Sequence, residues 1–144
     1  MDLVRIDGRY RLGGRIGFGS YGKSLTTTSH PLFLTQNNLG EIYLARDVLS
    51  GQDVAIKLEP VEEKRHTLEH EFNVYLKLAG GTGIPCVYWF GTETGFNAMA
   101  ISRLGQSLDK HFVLCKFRFS VNTVLQLASQ LVRSDLFRAK TFQN

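Results

Sequence analysis

The sequence predicts an α+β fold, namely a five-stranded antiparallel sheet with one helix against it, followed by further helices. Over residues 9–102, short apolar runs alternate with turns, which favours an antiparallel meander over βαβ units. One segment, at 67–79, instead repeats its apolar residues at helical spacing. These two patterns together indicate the fold class.

The strands are predicted at 9–16, 41–47, 54–57, 87–93 and 96–102. The helix over 67–79 takes Thr67 as its N-cap and stops at Gly80-Gly81. Two more helices are predicted at 107–113 and 121–138, and Leu125, Ala128, Leu131 and Val132 give the second an apolar face.

Composition excludes several classes of protein. A hydrophobic content of 43% suits a globular domain, and the apolar runs are too short to span a membrane. The net charge of +4 favours an anionic ligand, but the basic residues are scattered, so no nucleic acid and no membrane are expected as partners. Cys86 and Cys115 lack metal-ligand spacing, so no metal site is predicted. With no signal peptide, the expected location is cytoplasmic and/or nuclear.

A lysine closes the branched apolar run V-A-I-K at 54–57. This pattern predicts a buried strand that carries one cation inward. A buried ammonium needs a counter-charge, because leaving it unpaired is costly. Glu71, inside the predicted helix, is the candidate partner.

A glycine-rich motif, G-x-G-x-x-G at 17–22, follows the first predicted strand. The same spacing serves dinucleotide-binding folds, in which the glycines open a helix. Here a strand is predicted next, which favours a hairpin tip whose backbone N–H groups face phosphates. Residues 23–40, rich in Thr, Ser and Asn, fit neither strand and are predicted to be a disordered insertion.

Together these motifs resemble casein kinase I. They are Y-R-L-G at 10–13, I-G-x-G-S-x-G at 16–22, E-I-Y-L at 41–44, V-A-I-K-L-E at 54–59 and G-G-x-G-I-P at 80–85. The last is far more specific than the glycine motif, which protein kinases share. The resemblance implies a protein-kinase-like N-lobe over 1–102, then the hinge and first helices of a truncated C-lobe over 103–144.

The resemblance also implies an ATP site. In it, Lys57 holds the α- and β-phosphates and Glu71 holds the lysine. The implied ATP-binding residues are Ile16, Gly17, Gly19, Ser20, Gly22, Ile42, Ala55, Lys57, Ile101, Ser102 and Leu104. Adenine-pocket walls are assigned to Ile16, Ile42 and Ala55, the gatekeeper to Ile101, and the hinge to 102–104.

Three departures from the family pattern stand out. The hinge reads S-R-L-G-Q at 102–106 where the family usually has E-L-L-G-P, and Arg103 is expected to be solvated. Residues 23–40 follow the last glycine directly, which would loosen the phosphate cradle. The sequence ends at Asn144, where the H-R-D catalytic loop is due. Since the residues that hold Mg²⁺ and activate the substrate are missing, the chain alone is expected to be inactive.

Two functions of different classes remain open. The first is the ATP-binding lobe of a serine/threonine kinase that, in full-length form, uses ATP with Mg²⁺ to phosphorylate proteins. The second is a non-catalytic fragment that binds a partner, its apolar helix face recruiting chaperones, or a mis-spliced product without function. For the latter, G-K-S at 22–24 and L-G at 39–40 can be encoded with common intron-end sequences, whose removal would join Gly22 to Glu41.

Overall fold

The computed structural model describes residues 4–18, 40–61, 67–93 and 95–143. The α+β class is confirmed. The elements are β1 (Arg5–Ile6), β2 (Tyr10–Phe18), β3 (Glu41–Asp47), β4 (Asp53–Pro60), α1 (Thr67–Lys77), β5 (Val87–Glu93), β6 (Phe96–Ser102), α2 (Leu108–Leu114) and α3 (Val121–Gln143). The predicted insertion at 23–40 lies outside the described residues except for Gly40.

Within the described residues, the sheet has six strands in the order β1-β2-β3-β4-β6-β5, and every neighbouring pair is antiparallel. The prediction of five strands is therefore wrong. The extra strand is β1, which pairs with the start of β2 through a turn at Asp7 and Gly8. Both turn residues have positive φ, 54° and 57°. A strand of two residues is too short to show the alternation by which the others are predicted.

One face of the sheet forms the hydrophobic core. Its buried members are Ile6, Tyr10, Tyr43, Ala45, Val54, Ile56, Leu58, Ala98 and Ala100. The sheet curls around them: the rings of Tyr10 on β2 and Trp89 on β5 lie 6.1 Å apart between centroids, although three strands separate β2 from β5. The backbone N–H of Asp7 also donates to Glu93 Oε1 at 2.6 Å. Since side chains alternate along a strand, Lys57 and Glu59 of β4 lie on the opposite face.

The turn from β3 to β4 is organised by Asp47, which is only 3% exposed. Its carboxylate accepts from Arg9 Nε at 2.9 Å and Nη2 at 2.6 Å, and from Ser50 Oγ at 2.7 Å and the Leu49 N–H at 3.0 Å. The hydrogen bonds from Arg9, and then from Ser50, hold the pKa of the Asp47 carboxyl well below its usual range. The β3–β4 turn is thus held by a bidentate ion pair to Arg9, the residue directly before β2.

Two compact units make up the chain, one within Met1–Asn73 and Val87–Arg103, the other within Val74–Cys86 and Leu104–Asn144. The kinase-lobe boundary at residue 102 stays a prediction. Within the second unit, the Phe137 ring occupies the space beside Gly81, where an added Cβ would lie 2.4 Å from Cε1 of the ring. Only glycine permits this approach.

None of the described helices has the length and apolar character needed to cross a membrane.

Two core tyrosines differ in how their hydroxyls are satisfied. Tyr10 is fully buried, and within the described ranges its hydroxyl has no hydrogen-bond partner. The Tyr43 hydroxyl donates to Glu41 Oε2 at 2.6 Å, and Arg15 Nη1 donates to Glu41 Oε1 at 2.9 Å. Burial, followed by the bond to Glu41, raises the pKa of Tyr43 to about 12, so this hydroxyl stays protonated and donates.

Tyr10→Phe and Tyr43→Phe are expected to act in opposite directions. Removing the Tyr10 hydroxyl should leave the free energy of unfolding unchanged or raise it by up to about 1 kcal/mol, because an unsatisfied buried group is lost. Removing the Tyr43 hydroxyl should lower it by roughly 1.5–3 kcal/mol, because a bond to a buried carboxylate is lost. Urea unfolding followed by Trp89 fluorescence measures both. A larger loss in Tyr10→Phe than in Tyr43→Phe would contradict this account.

The ion pair of Asp47 makes stability depend on pH. The folded-state pKa lies below the reference value of 3.8, so the contribution is fully present above that value and is lost as pH falls through the folded-state pKa. We therefore expect the unfolding temperature to fall below about pH 4. In Asp47→Asn the unfolding temperature should be lower at neutral pH, and it should fall less when the pH is lowered. Asp109→Asn, on exposed helix α2, should keep the wild-type profile and serves as the control.

Candidate functional site

An ion pair between a strand lysine and a helix glutamate lies at the centre of the candidate site. The Lys57 ammonium contacts the Glu71 carboxylate, so the structure brings together the two side chains expected to pair. Their side chains are 18% and 34% exposed. The charges are thus partly withdrawn from water yet still accessible.

A second carboxylate on β4 fixes the helix that carries Glu71. Glu59 Oε2 accepts the backbone N–H of Leu68 at 2.9 Å, and the Thr67 hydroxyl donates to Oε1. Thr67 is the first residue of α1, and Glu59 satisfies N–H and hydroxyl groups at this helix start. Glu59 lies two residues after Lys57, on the same face of β4. The strand therefore holds α1 at its first turn and at Glu71, one turn later.

Aromatic packing adds a third point of attachment between helix and sheet. Phe72 of α1 stacks on Phe90 of β5, with ring centroids 4.9 Å apart and an interplanar angle of 18°. Phe90 pairs with Met99 of β6, and Met99 pairs with Lys57. The stack thus lies in the same row across the sheet as the lysine.

An apolar row lies next to the cation on the same face. Lys57 pairs with Ile42 on one side and Met99 on the other. Two residues along β4, about 7 Å away, Ala55 pairs with Leu44 and Ile101. Ala55 and Ile101 are buried, and Ile42 is half-buried. A charged group and an apolar strip therefore stand side by side.

Gly17 of the glycine-rich motif and Ile16, the residue before it, are described by the structure. Gly17 pairs with Ile42, and an added Cβ would lie 3.8 Å from Ile42 Cδ1. Ile16 falls in a register shift between Arg15 and Gly17 and is 47% exposed. Gly19, Ser20 and Gly22 lie outside the described residues, so their predicted roles stay predictions.

Two relevant residues were missed by the sequence reasoning. The sequence analysis does not single out Glu59. The signal that could have found it is an acidic residue two positions after the lysine, on the same face of the strand. Gly40, directly before β3, was treated as part of the insertion, yet an added Cβ there would lie 3.3 Å from Lys57 Cε. The signal in the sequence is the position of this glycine directly before E-I-Y at 41–43.

Two of the predicted hinge residues, Ser102 and Arg103, have side-chain partners in the first unit. The Ser102 and Tyr88 hydroxyls lie 3.1 Å apart, and Arg103 Nη1 donates to Asp53 Oδ2 at 2.9 Å. Arg103, expected to be solvated, is thus half-exposed but ion-paired, since Asp53 at the start of β4 is within reach. Such a surface pair contributes about 0–1 kcal/mol. Leu104 belongs to the second unit and is 62% exposed.

The described residues do not form a protein site for a metal ion. In the parts of the chain that the structure describes, no three His, Cys, Asp or Glu side chains lie together as metal ligands. Lys57 and the apolar row instead suit an anionic ligand with a flat apolar part.

Glu59→Ala is expected to loosen the start of α1. Losing the bonds to Leu68 and Thr67 should cost about 1 kcal/mol of stability, as helix caps typically do. Amide hydrogen exchange at Leu68 should accelerate, while amides in α3 keep their protection and serve as the internal control. Unchanged protection at Leu68 would mean that the cap does not hold the helix.

The candidate site is thus defined by an ion pair, its capping carboxylate and an adjoining apolar row. The chain matches none of the protein-family models with which it was compared. What the site binds is therefore inferred from its geometry and charge.

Proposed function

We propose that this chain is the ATP-binding part of a serine/threonine protein kinase similar to casein kinase I. In this proposal the full-length form transfers the γ-phosphate of ATP to Ser or Thr of proteins. The observation that carries the proposal is the ion pair of Lys57 with Glu71, placed beside an apolar row on the same sheet face.

The cation supports a phosphate ligand. An ammonium has three N–H donors, and the contact with Glu71 uses one of them. A partly buried ion pair contributes little net stability, because desolvation offsets the Coulomb attraction. Anion binding therefore accounts better than stability for a lysine at position 57. Glu71, held by α1, keeps the ammonium in one place before the ligand arrives.

The apolar row supports a nucleotide rather than a bare phosphate. Ala55 and Ile101 are small or branched apolar residues in the row next to Lys57, and Ile42 is the cross-strand partner of the lysine itself. A nucleotide lying along the strand direction would place its base over this row and its phosphates at Lys57.

Magnesium enters the proposal only with the nucleotide. Mg²⁺ commonly binds through substrate phosphates plus one or two carboxylates and neutralises their charge. The described residues offer no metal-ligand cluster, so no step of the proposed binding runs through a protein-held ion.

A second candidate, a non-catalytic partner-binding role, is favoured by exposed apolar side chains. Those of α2 and α3 include Leu114 at 69%, Val121 at 74%, Leu125 at 61% and Leu136 at 57% exposed. Such surfaces mark binding sites or recruit chaperones. A purified chain that stays monomeric in size-exclusion chromatography and binds Mg-ATP would favour the first candidate over this one.

Lys57→Met is expected to weaken Mg-ATP binding at least about tenfold, because the phosphate contact is lost while an apolar side chain of similar length remains. Isothermal titration calorimetry measures the affinity, and the ligand-induced rise in unfolding temperature provides a second readout. Lys110→Met, on exposed α2, is the matched control and should bind as the unaltered chain does. Equal binding by Lys57→Met, or no binding by the unaltered chain, would refute the proposed function.

A further inference from the structure

Three arginines from separate strands lie side by side on one face of the sheet. Arg5 of β1 pairs with Arg11 of β2, and Arg11 pairs with Arg46 of β3. Directly opposite residues of antiparallel strands have Cβ atoms about 5 Å apart on the same face, so the three side chains form a row, here called the arginine row. All three residues are exposed, so the arginine row faces solvent.

The arginine row has little negative charge to offset it. Arg46 Nη1 donates to Asp53 Oδ1 at 3.2 Å, and Asp53 Oδ2 also accepts from Arg103 Nη1 at 2.9 Å, so two guanidinium groups share one carboxylate. Among the described residues, the side chains of Arg5 and Arg11 have no ion-pair partner. Like charges directly opposite each other destabilise a sheet. The arrangement therefore does not serve the stability of the fold.

We propose that Arg5 and Arg11, with Arg46 beside them, form a binding site for a phosphate group, either free or carried as a monoester. A phosphate has up to two negative charges at neutral pH and at least three acceptor oxygens, so it accepts from two neighbouring guanidinium groups. A carboxylate has one charge and two oxygens, which a single guanidinium satisfies. Two adjacent arginines that lack a carboxylate partner in the described part of the chain thus suit a phosphate better.

The neighbours of the arginine row favour a phosphate group over single-stranded nucleic acid. Proteins that bind such strands stack the bases on aromatic side chains along a basic groove. In the next row along the strands on this face, Leu44 of β3 and Ala55 of β4 are aliphatic, and Gly13 of β2 has no side chain. These neighbours offer no ring on which a base could stack.

The arginine row is separate from the lysine of the candidate site. Asp53, the cross-strand partner of Arg46, lies four residues before Lys57 on the same face of β4, which is about 13 Å along the strand. The row of Ala55 lies between them. The inference therefore does not rest on the proposed function, and phosphate should bind at the arginine row whether or not Mg-ATP binds at Lys57.

The test titrates the full chain with inorganic phosphate at constant ionic strength and follows the arginine Nε–H signals by NMR. The signals of Arg5 and Arg11 are assigned by their loss in Arg5→Gln and Arg11→Gln. Phosphate should shift both signals with a dissociation constant in the millimolar range, and acetate at the same concentration should shift them less. Phosphoserine with blocked termini distinguishes the sources: tighter binding than inorganic phosphate indicates an esterified ligand, and equal or weaker binding indicates free phosphate.

Arg11→Gln should weaken phosphate binding about tenfold, measured at the Arg5 signal, because a hydrogen bond to a charged group contributes roughly that factor. Arg11→Lys keeps the charge but loses the planar pair of donors, so its affinity should lie between the two. Arg133→Gln, on exposed α3, removes the same charge and should bind as the unaltered chain does. Without phosphate, Arg11→Gln should unfold at a temperature no lower than the unaltered chain, since a like-charge contact is removed.

Equal phosphate binding by Arg11→Gln and the unaltered chain overturns the inference, and so does an equal response to acetate. A clearly lower unfolding temperature of phosphate-free Arg11→Gln, or its failure to fold, overturns it as well, because the arginine then serves the sheet. Arg5→Gln repeats both measurements at the other end of the pair. Phosphate binding that is lost in Lys57→Met would place the phosphate at the lysine and not at the arginine row.

Discussion

The alternation of side chains along β4 is the constraint on which both the core and the candidate site depend. Val54, Ile56 and Leu58 fill the core, while Lys57 and Glu59 face helix α1. Glu59 holds the start of that helix, and the helix in turn presents Glu71 to the lysine. A single strand thus serves two environments, the core on one face and helix α1 on the other.

The pairing of Lys57 with Glu71 could be predicted because both residues lie in strongly patterned segments and a buried cation demands a partner. Strands of seven residues showed their alternation clearly. By contrast, β1 was missed because two residues carry no period, and its pairing depends on the turn at Asp7 and Gly8. Periodicity finds elements that are long enough to repeat.

The other features that the sequence did not predict depend on contacts between residues that lie far apart in the sequence. Arg103 was expected to be solvated, but its partner Asp53 lies 50 positions earlier in the sequence. Gly81 was assigned as a helix stop, and only the structure shows the Phe137 ring in the space beside it. Local patterns identify which glycine ends a helix, yet they do not show which side chain from another helix needs its missing Cβ.

The buried carboxylate of Glu41 has a consequence for how β2 finds β3. A short hairpin loop normally sets the register of its two strands, but here residues 19–40 separate them. A slip of one residue would turn Glu41 and Tyr43 together to the other face of the sheet, away from the core, and separate the Glu41 carboxylate from Arg15 on β2. The misaligned pairing loses the bond between Arg15 and Glu41 and takes the Tyr43 ring out of the core, so it is penalised. The cluster therefore selects one alignment of two strands that the connecting segment is too long to align.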